Sequence, residues 1–266
     1  MSKLRSIGEA LNGLADGMTL GLGGWIFTSQ PMALVREVVR RRVRDLHIVP
    51  SPGSMAPDLL IGAGCVRTVS NVFISFEQHG LAPHFRRAAE AGALEVLELD
   101  GPGLAGGLRA GACDLPWMPI PDLGTDLPKV NPRAYQPLPN EGGRKLLKVP
   151  AIKPDLVLLH GQRGDERGNI IYQGASFFDL LMAQAARRVV VSVDRLVSNA
   201  EIRRDSRLVK ISSAFVHAVV EAPGGARPTA SAGEYEADEA AIAAYAKAAV
   251  KPESWREWLA AQGLPA

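Results

Sequence analysis

The stretch Asp16–Pro31 constrains the fold more than any other part of the chain. A short apolar run, Met18–Leu22, ends in Gly23 and Gly24, and an amphipathic helical pattern begins after the proline. This order predicts a buried strand, a glycine loop and a helix, because a helix tolerates proline in its first turn.

The glycine pair allows two interpretations. In the first, glycine only supplies the backbone angles of a tight turn. In the second, the N–H groups of Gly23 and Gly24 lie bare at the carboxyl end of a strand, where they hold a carboxylate or a developing oxyanion. A glycine loop alone is a weak motif, so the spacing leaves both interpretations open.

The rest of the chain alternates between predicted strands and helices. The further strands are predicted at Leu46–Val49, Val66–Ile74, Leu94–Leu99, Leu156–His160 and Arg188–Val193. This rhythm predicts an α/β fold with an open, mostly parallel sheet and helices on both faces. We expect a single domain over residues 1–266, with an irregular, proline-rich excursion at 115–150 and helices at about 236–262.

Composition excludes several classes of function. The 266 residues are 47% hydrophobic and carry a formal charge of +2, which does not suggest a nucleic-acid surface. No apolar run is long enough to predict a membrane span. The two cysteines, without a secretion signal, predict reduced thiols in the cytoplasm. No close pair of histidines or cysteines is present, so we expect no metal site.

Polar residues follow the predicted strand Val66–Ile74. Glu77, Gln78 and His79 lie where α/β proteins often place functional side chains, and a Glu–His pair suits general acid–base catalysis. The alternative is a polar loop that leads into the next helix. Of these residues, Glu77 is the candidate catalytic one.

The segment Gly101–Gly106 matches the pattern G-x-G-x-x-G of dinucleotide-binding loops. Pro102 removes one of the N–H groups that such a loop offers. The next apolar stretch is broken by prolines and is a poor second strand for a βαβ unit. The sequence therefore argues against nucleotide binding at this segment.

Taken together, the motifs resemble the A (alpha) subunit of family I coenzyme A transferases. The signature resembled is Asp-Gly, two residues, three apolar residues, Gly-Gly-Phe, three residues, Gly, one residue and Pro. Asp16–Pro31 is similar to it and departs at Gly21, Trp25 and Ser29. Further segments resemble the glutaconate and 3-oxoadipate branch: Leu60–Cys65, Leu81–Arg87, Gly124–Pro132 and Asp165–Asn169.

The resemblance implies an assembly and a mechanism. Such A subunits pair with a B (beta) subunit, usually as α2β2, and move CoA between an acyl-CoA and a small (di)carboxylic acid. A glutamate in a Ser-Glu-Asn-Gly motif of the B subunit forms a glutamyl-CoA thioester. This chain lacks that motif, so the resemblance implies a nucleophile on the partner. It also implies CoA thioester as a substrate, with no permanently bound cofactor.

The resemblance also implies roles for individual residues. Gly23 and Gly24 would stabilise the oxyanion of the attacked thioester, Phe27, Thr28 and Gln30 would line the acyl pocket, and Ser51 and Ser54 would bind a carboxylate tail. The full set of predicted substrate-binding residues is Trp25, Phe27, Thr28, Gln30, Ser51, Ser54, Gln78 and Asp100.

Two other functions stay open at this point. Some relatives of these transferases resemble hydrolases that open a ring of a CoA thioester in steroid catabolism, using an acid just after Glu-Leu-Asp. Here Glu98–Asp100 is followed by Gly101, so Glu77 or Asp100 would have to serve. The third candidate is a non-catalytic ligand-binding α/β module, because a fold alone does not set function.

Overall fold

The computed structural model describes residues 1–139 and 142–265. The strands are β1 (Thr19–Leu22), β2 (Leu46–Pro50), β3 (Val66–Asn71), β4 (Glu95–Glu98), β5 (Trp117–Pro121), β6 (Gln136–Pro137), β7 (Leu146–Pro150), β8 (Leu156–Gly164), β9 (Ile170–Ile171), β10 (Val189–Leu196), β11 (Val209–Ile211) and β12 (Ala218–Glu221). The α-helices are α1 (Ile7–Ala10), α2 (Met32–Arg40), α3 (Met55–Gly62), α4 (Pro83–Glu90), α5 (Gly101–Ala112), α6 (Leu127–Val130), α7 (Asp179–Ala185), α8 (Asn199–Arg204), α9 (Glu239–Ala248) and α10 (Pro252–Ala261).

Within the described residues, nine strands form one sheet. Seven of them run parallel in the order β4-β3-β2-β1-β8-β10-β12, while β9 pairs antiparallel with the end of β8 and β11 pairs antiparallel with β9. From β1 at the centre of the sheet, β2, β3 and β4 follow in sequence order toward one edge. From β8, which lies beside β1, β10 and β12 follow toward the other edge. The order therefore reverses between β1 and β8, and open α/β sheets bind ligands at the carboxyl ends of strands at such a point.

Two hydrophobic layers cover the two faces of the sheet, because successive side chains of a strand point to opposite faces. Leu20 and Leu158 belong to the layer that contains the buried faces of α2, α3, α9 and α10. Val157 and Leu159 belong to the layer under α5 and α7. The predicted α/β fold with a mostly parallel sheet and helices on both faces is confirmed.

Gly21 departs from the apolar residue of the signature for a packing reason. A Cβ at this position would lie 2.6 Å from Cγ2 of Val157 on the neighbouring strand β8. The close approach of β1 and β8 therefore requires glycine on this face.

Three segments are more ordered than the sequence predicted. The 115–150 excursion contains a small antiparallel sheet of β5, β7 and β6, apart from 140–141, which lie outside the described residues. The 101–106 segment begins helix α5, with Asp100 as its N-cap. The Pro/Gly-rich segment 221–232, whose composition is typical of a linker, packs into the interior, where Thr229 and Ser231 are fully buried. Among the described residues, no helix has the length and apolar character that crossing a bilayer requires.

Candidate active site

The loops that follow β1, β2 and β3 meet at the carboxyl edge of the sheet. We call Gly23–Gln30 the glycine loop. Ile26 N–H donates to the carbonyl of Pro52 (2.9 Å), and Ser75 N–H donates to the carbonyl of Gly53 (3.0 Å). The segment after β12 closes the other side, because Ser29 N–H donates to the carbonyl of Ala230 (2.7 Å). The predicted site residues after β1, β2 and β3 are therefore brought together.

The N–H groups of the glycine pair are not bare. Gly23 N–H donates to the carbonyl of Leu158 (3.0 Å), and Gly24 N–H donates to Oδ2 of Asp179 (3.0 Å). Gly24 also has a φ of +94°, which favours glycine. The expectation of two free donors is therefore wrong for the chain as it is folded, although a role for the pair in catalysis stays a prediction.

The loop edge contains three residues with left-handed backbone angles. Ile26 has φ +46°, Ser29 φ +52° and Glu77 φ +48°. A β-branched residue such as Ile26 rarely adopts this region. Ser29 stands where the signature has glycine, and its φ gives the reason for glycine there. Such outliers persist only where surrounding contacts fix them, and they cluster at functional sites.

Three of the predicted substrate-binding residues point into the protein. The side-chain carbonyl of Gln30 accepts the N–H of Ala56 (2.6 Å) in the first turn of α3. Ser54 Oγ donates to the carbonyl of Ile26 (2.6 Å). Ser51 is also buried. Gln30 and Ser54 therefore hold the loops to one another, while substrate binding by Gln30, Ser51 and Ser54 stays a prediction.

The half-buried predicted residues lie at the outer surface of the glycine loop. The ring of Trp25 has its centroid 4.8 Å from that of Phe177 and 6.4 Å from that of Phe73. We call Trp25, Phe73 and Phe177 the aromatic wall. Phe177 is 57% exposed. Phe27 packs edge-to-face on His79 at 5.9 Å, and Thr28 is likewise half-buried. Sequence reasoning missed Phe73 and Phe177. Phe73 lies two residues after β3, and Phe177 lies two residues before α7.

The Glu77–His79 pair suggested by the sequence does not form. His79 Nε2 instead contacts Oε2 of Glu239 in α9 (2.6 Å), and Gln78 Nε2 donates to the same oxygen (3.0 Å). Hydrogen bonds from these two side chains lower the pKa of Glu239. Glu77 is exposed. Gln78 and His79 therefore attach α9 to the site edge, and Glu77 has no imidazole partner in this arrangement.

Asp100 lies apart from the glycine loop. It follows β4, three strand spacings from β1, which places it on the order of 14 Å away. Its Oδ1 accepts the N–H of Gly103 (2.7 Å) and the hydroxyl of Tyr135 (2.7 Å). Asp100 is thus the N-cap of α5, so the structure does not bring it to the other predicted substrate-binding residues.

The acid that the structure does bring to the glycine loop is Asp179, which sequence reasoning missed. Its exposed fraction is 1%, and its Oδ2 accepts the hydroxyl of Tyr172 (2.5 Å) in addition to the N–H of Gly24. Burial raises the pKa of Asp179, and the hydrogen bonds from Tyr172 and Gly24 act in the opposite direction. A lone aspartate inside an apolar helix pattern was the available signal.

A second buried polar group lies between β8 and β10. His160 Nδ1 contacts Ser192 Oγ (2.9 Å), and Nε2 contacts Asp194 Oδ2 (3.0 Å). The chain of contacts Ser192–His160–Asp194 resembles the Ser-His-Asp triad of serine hydrolases. His160 and Ser192 are, however, fully buried. Ser231 Oγ also donates to Asp194 (2.6 Å). The group therefore ties the segment after β12 to the sheet and does not face substrate.

No cluster of three or more potential metal ligands occurs among residues 1–139 and 142–265. The site edge carries aromatic rings, hydroxyls and the exposed carboxylates of Glu77 and Glu239.

Comparison with known proteins gives consistent matches. The sequence profile described as "Coenzyme A transferase" matches residues 4–222. The chain is 35% identical to the cholesterol ring-cleaving hydrolase IpdA subunit of Mycobacterium tuberculosis, over 97% of this chain and 91% of the relative. It is 32% identical to the A subunit of 3-oxoadipate CoA-transferase from Pseudomonas knackmussii, over 97% of this chain and 93% of the relative.

A solved structure matches nearly the whole fold. Glutaconate coenzyme A-transferase from Acidaminococcus fermentans superposes with a TM-score of 0.90 at 26% identity, covering 98% of this chain and 88% of that chain. The match therefore extends over nearly the whole chain. Since a family profile spans most of the sequence and relatives above 30% identity span nearly all of it, the chain belongs to the coenzyme A transferase family.

Proposed function

We propose that the chain is the A subunit of a heteromeric CoA-transferase, which moves CoA between an acyl-CoA and a small (di)carboxylic acid. The observation that carries this proposal is that Asp179 and Asp100 both accept backbone N–H groups of their own chain. Neither acid is available to attack a thioester, and Gly101 stands where the hydrolase acid would lie. The chain also lacks the Ser-Glu-Asn-Gly motif, and we therefore assign the attacking glutamate to a B subunit.

The proposal includes an assembly and a location. The relatives that are themselves A subunits of transferases support a partner B subunit, and we propose an α2β2 enzyme whose CoA thioester is a substrate and not a resident cofactor. Cys65 and Cys113 are unpaired thiols, which fits a cytoplasmic enzyme.

The glycine loop would act through its fixed shape. Attack on the thioester carbonyl creates an oxyanion, and loss of one preorganised donor costs about 10²–10³ in rate. Gly24 N–H can serve as a donor only if it exchanges Asp179 Oδ2 for the substrate oxygen. Trp25, Phe27 and Thr28, which are half-buried at the outer surface, would contact the acyl group.

The proposal is tested by separating and recombining the two polypeptides. We expect no CoA exchange between succinyl-CoA and a panel of dicarboxylic acids from this chain by itself or from the isolated B subunit. The reconstituted pair should be active. Full activity of the lone chain would contradict a divided active site.

A second candidate function is ring-opening hydrolysis of a cyclic acyl-CoA. The aromatic wall favours it, since three adjacent rings offer flat apolar area suited to a bulky ring system. In that reaction the chain would have to supply an acid, and Glu77 is an exposed carboxylate two residues before His79, on which Phe27 packs.

Glu77→Gln separates the two candidates. For a transferase we expect CoA exchange by the reconstituted pair to stay within about two-fold, because the nucleophile lies on the partner. For a hydrolase that uses Glu77 as its acid or base, ring opening should fall by about 10²–10⁴. Glu257→Gln, an exposed glutamate on α10, is the matched control and should change neither rate.

A further inference from the structure

Gln162, near the end of β8, has a side-chain amide that joins three segments of the chain. It is 1% exposed. Its Oε1 accepts the N–H of Gln173 (2.7 Å), and its Nε2 donates to Ser231 Oγ (3.2 Å) and Ser29 Oγ (3.4 Å). The N–H of Gln173 can only donate, so it faces Oε1 and leaves the NH2 group toward the two hydroxyls. The amide therefore connects the segment after β9, the segment after β12 and the glycine loop.

The contact with Ser231 fixes the segment that pairs with the glycine loop. The hydroxyl of Ser231 accepts from the amide and donates its own proton to Oδ2 of Asp194 (2.6 Å). The preceding residue, Ala230, makes two backbone hydrogen bonds of 2.7 Å to the loop, from Ser29 N–H and to the carbonyl of Phe27. One edge of the glycine loop is thus held by a segment that the amide holds.

The contact with Ser29 acts on the loop itself. Ser29 is fully buried and has φ +52°, an angle that a residue other than glycine keeps only where its surroundings fix it. Its carbonyl oxygen lies against Gly24, because a Cβ built on Gly24 would come within 2.8 Å of it. The contact of the amide with the Ser29 hydroxyl, although long at 3.4 Å, is therefore one residue away from the backbone of Gly24.

We propose that Gln162 is a positioning residue of the active site, whose NH2 group holds the glycine loop in its left-handed form through Ser29 and Ser231. The loop carries Trp25 and Phe27, which the proposed function places against the acyl group. Its shape then sets how the thioester meets the attacking group, and a displacement of about 1 Å can cost about 10² in rate. The effect on turnover rests on the proposed function, whereas the order of the loop does not.

Hydrogen exchange of the isolated full chain, followed by mass spectrometry, measures the order of the loop. The loop amides that donate hydrogen bonds are those of Gly24, Trp25, Ile26, Thr28 and Ser29. Gln162→Met keeps an unbranched side chain of similar length but leaves two buried hydroxyls without their donor and one N–H without its acceptor. We expect peptides covering 23–30 and 228–232 to exchange at least about ten-fold faster, while peptides of α10 exchange as in wild type.

Asn131→Leu is the matched control. Asn131 is also a buried amide bonded on both sides, to the carbonyl of Glu98 (3.0 Å) and the N–H of Ala134 (3.3 Å), but it lies in the 115–150 excursion. This variant should speed exchange around 127–135 and leave 23–30 unchanged. Unchanged exchange at 23–30 in Gln162→Met, or the same increase there in Asn131→Leu, would overturn the proposal.

Ser29→Ala is a milder variant, because it removes only the hydroxyl and keeps the Cβ. It should speed exchange at 23–30, and Gln162→Met should then add less to exchange at 23–30 than it does in wild type, since the two residues act through one contact. Fully additive effects would contradict that coupling. If Gln162→Met opens the whole chain, Ser29→Ala decides by itself, and unchanged exchange at 23–30 in this variant would overturn the proposal.

The reconstituted pair supplies a readout that a merely structural role would not move. Gln162→Met should lower kcat for CoA exchange by about 10–10²-fold and change KM by less, while Asn131→Leu keeps both. An unchanged kcat in a variant whose loop exchanges faster would overturn the positioning role. A wild-type pair without activity would contradict the proposed function instead, and hydrogen exchange would still decide whether Gln162 orders the loop.

Discussion

Gly24→Ala is expected to remove nearly all turnover of the reconstituted enzyme and to lower the free energy of unfolding by about 2–5 kcal/mol. A left-handed φ costs a non-glycine residue roughly 1–2 kcal/mol, and Gly24 has φ +94°. Its new Cβ would also lie 2.8 Å from the carbonyl oxygen of Ser29 and 2.9 Å from the N atom of Gln30. Overpacking of this kind adds about 1–3 kcal/mol.

The clash cannot be relieved cheaply, because the backbone that it meets is tied on both sides. Ser29 N–H is bonded to Ala230, and the Gln30 side chain is bonded to Ala56. The loop must therefore move as a unit, which displaces Trp25 and Phe27 from the site edge. The larger Gly24→Val change should give the same outcome through this backbone contact.

Gly17→Ala is the matched control for Gly24→Ala. Gly17 precedes the same strand and has φ +75°, but its Cβ would meet nothing within 4 Å. We expect it to cost only the conformational penalty of about 1–2 kcal/mol and to keep full turnover. Urea unfolding and CoA exchange measure both effects. Equal losses in the two variants would show that the loop contact has no special role.

Local patterns in the sequence were sufficient for most strands and for the position of the glycine loop. Four of the five residues of Val189–Val193 are valine, which favours a strand, and the Gly-Gly pair ends an apolar strand, so each feature is identified by its own residues. The order of the strands in the sheet could not be predicted from such local patterns. The reversal between β1 and β8 joins segments about 140 residues apart in the sequence.

The errors in the predicted site have the same origin. Asp179 accepts the N–H of Gly24 although the two residues are 155 positions apart in the sequence. Glu239 contacts His79 at a separation of 160 positions. No spacing rule reports such contacts. Helix α5 was missed for another reason, since its glycines permit close packing: a Cβ at Gly106 would lie 2.7 Å from Ile120, and one at Gly107 would lie 2.7 Å from Ile152. Tertiary packing there overrides the weak helix propensity of glycine.

The second large effect is expected at Asp58, a buried carboxyl that joins α3, α4 and α9. Its Oδ1 accepts the N–H groups of His84 (2.9 Å) and Phe85 (2.8 Å), and its Oδ2 accepts the hydroxyl of Tyr245 (2.8 Å). Burial raises the pKa of Asp58 to about 7, against the opposing effect of these hydrogen bonds and of Arg87.

Asp58→Ala should lower the free energy of unfolding by at least about 3 kcal/mol. Each buried donor left without a partner costs about 1–3 kcal/mol, and three donors lose theirs. Asp58→Asn should avoid most of this loss, because its carbonyl can accept both N–H groups and its NH2 group can donate to the oxygen of Tyr245. Urea unfolding of the two variants beside wild type at about pH 4, where Asp58 is neutral in both states, measures the difference.

The pH dependence of the Asp58→Asn difference tests the cause. Asp58 ionises near pH 4 in the unfolded chain and near 7 in the native one. Its stabilising contribution is therefore complete below about pH 4 and is lost as pH rises to about 7, by roughly 4 kcal/mol. Asp58→Asn should thus gain stability relative to wild type across this window and be at least as stable at pH 8.

A neighbouring histidine acts in the opposite direction and must be separated from this effect. Burial lowers the pKa of His84 to about 3, so its contribution to stability is present above about pH 6.5 and is lost as pH falls. The free energy of unfolding of wild type therefore contains two pH-dependent contributions of opposite sign, one from Asp58 and one from His84. His84 is present in both chains, so the difference between Asp58→Asn and wild type isolates the carboxyl. Parallel curves for the two chains would mean that Asp58 is charged in the native state, held by its three donors and by the helix N-terminus of α4.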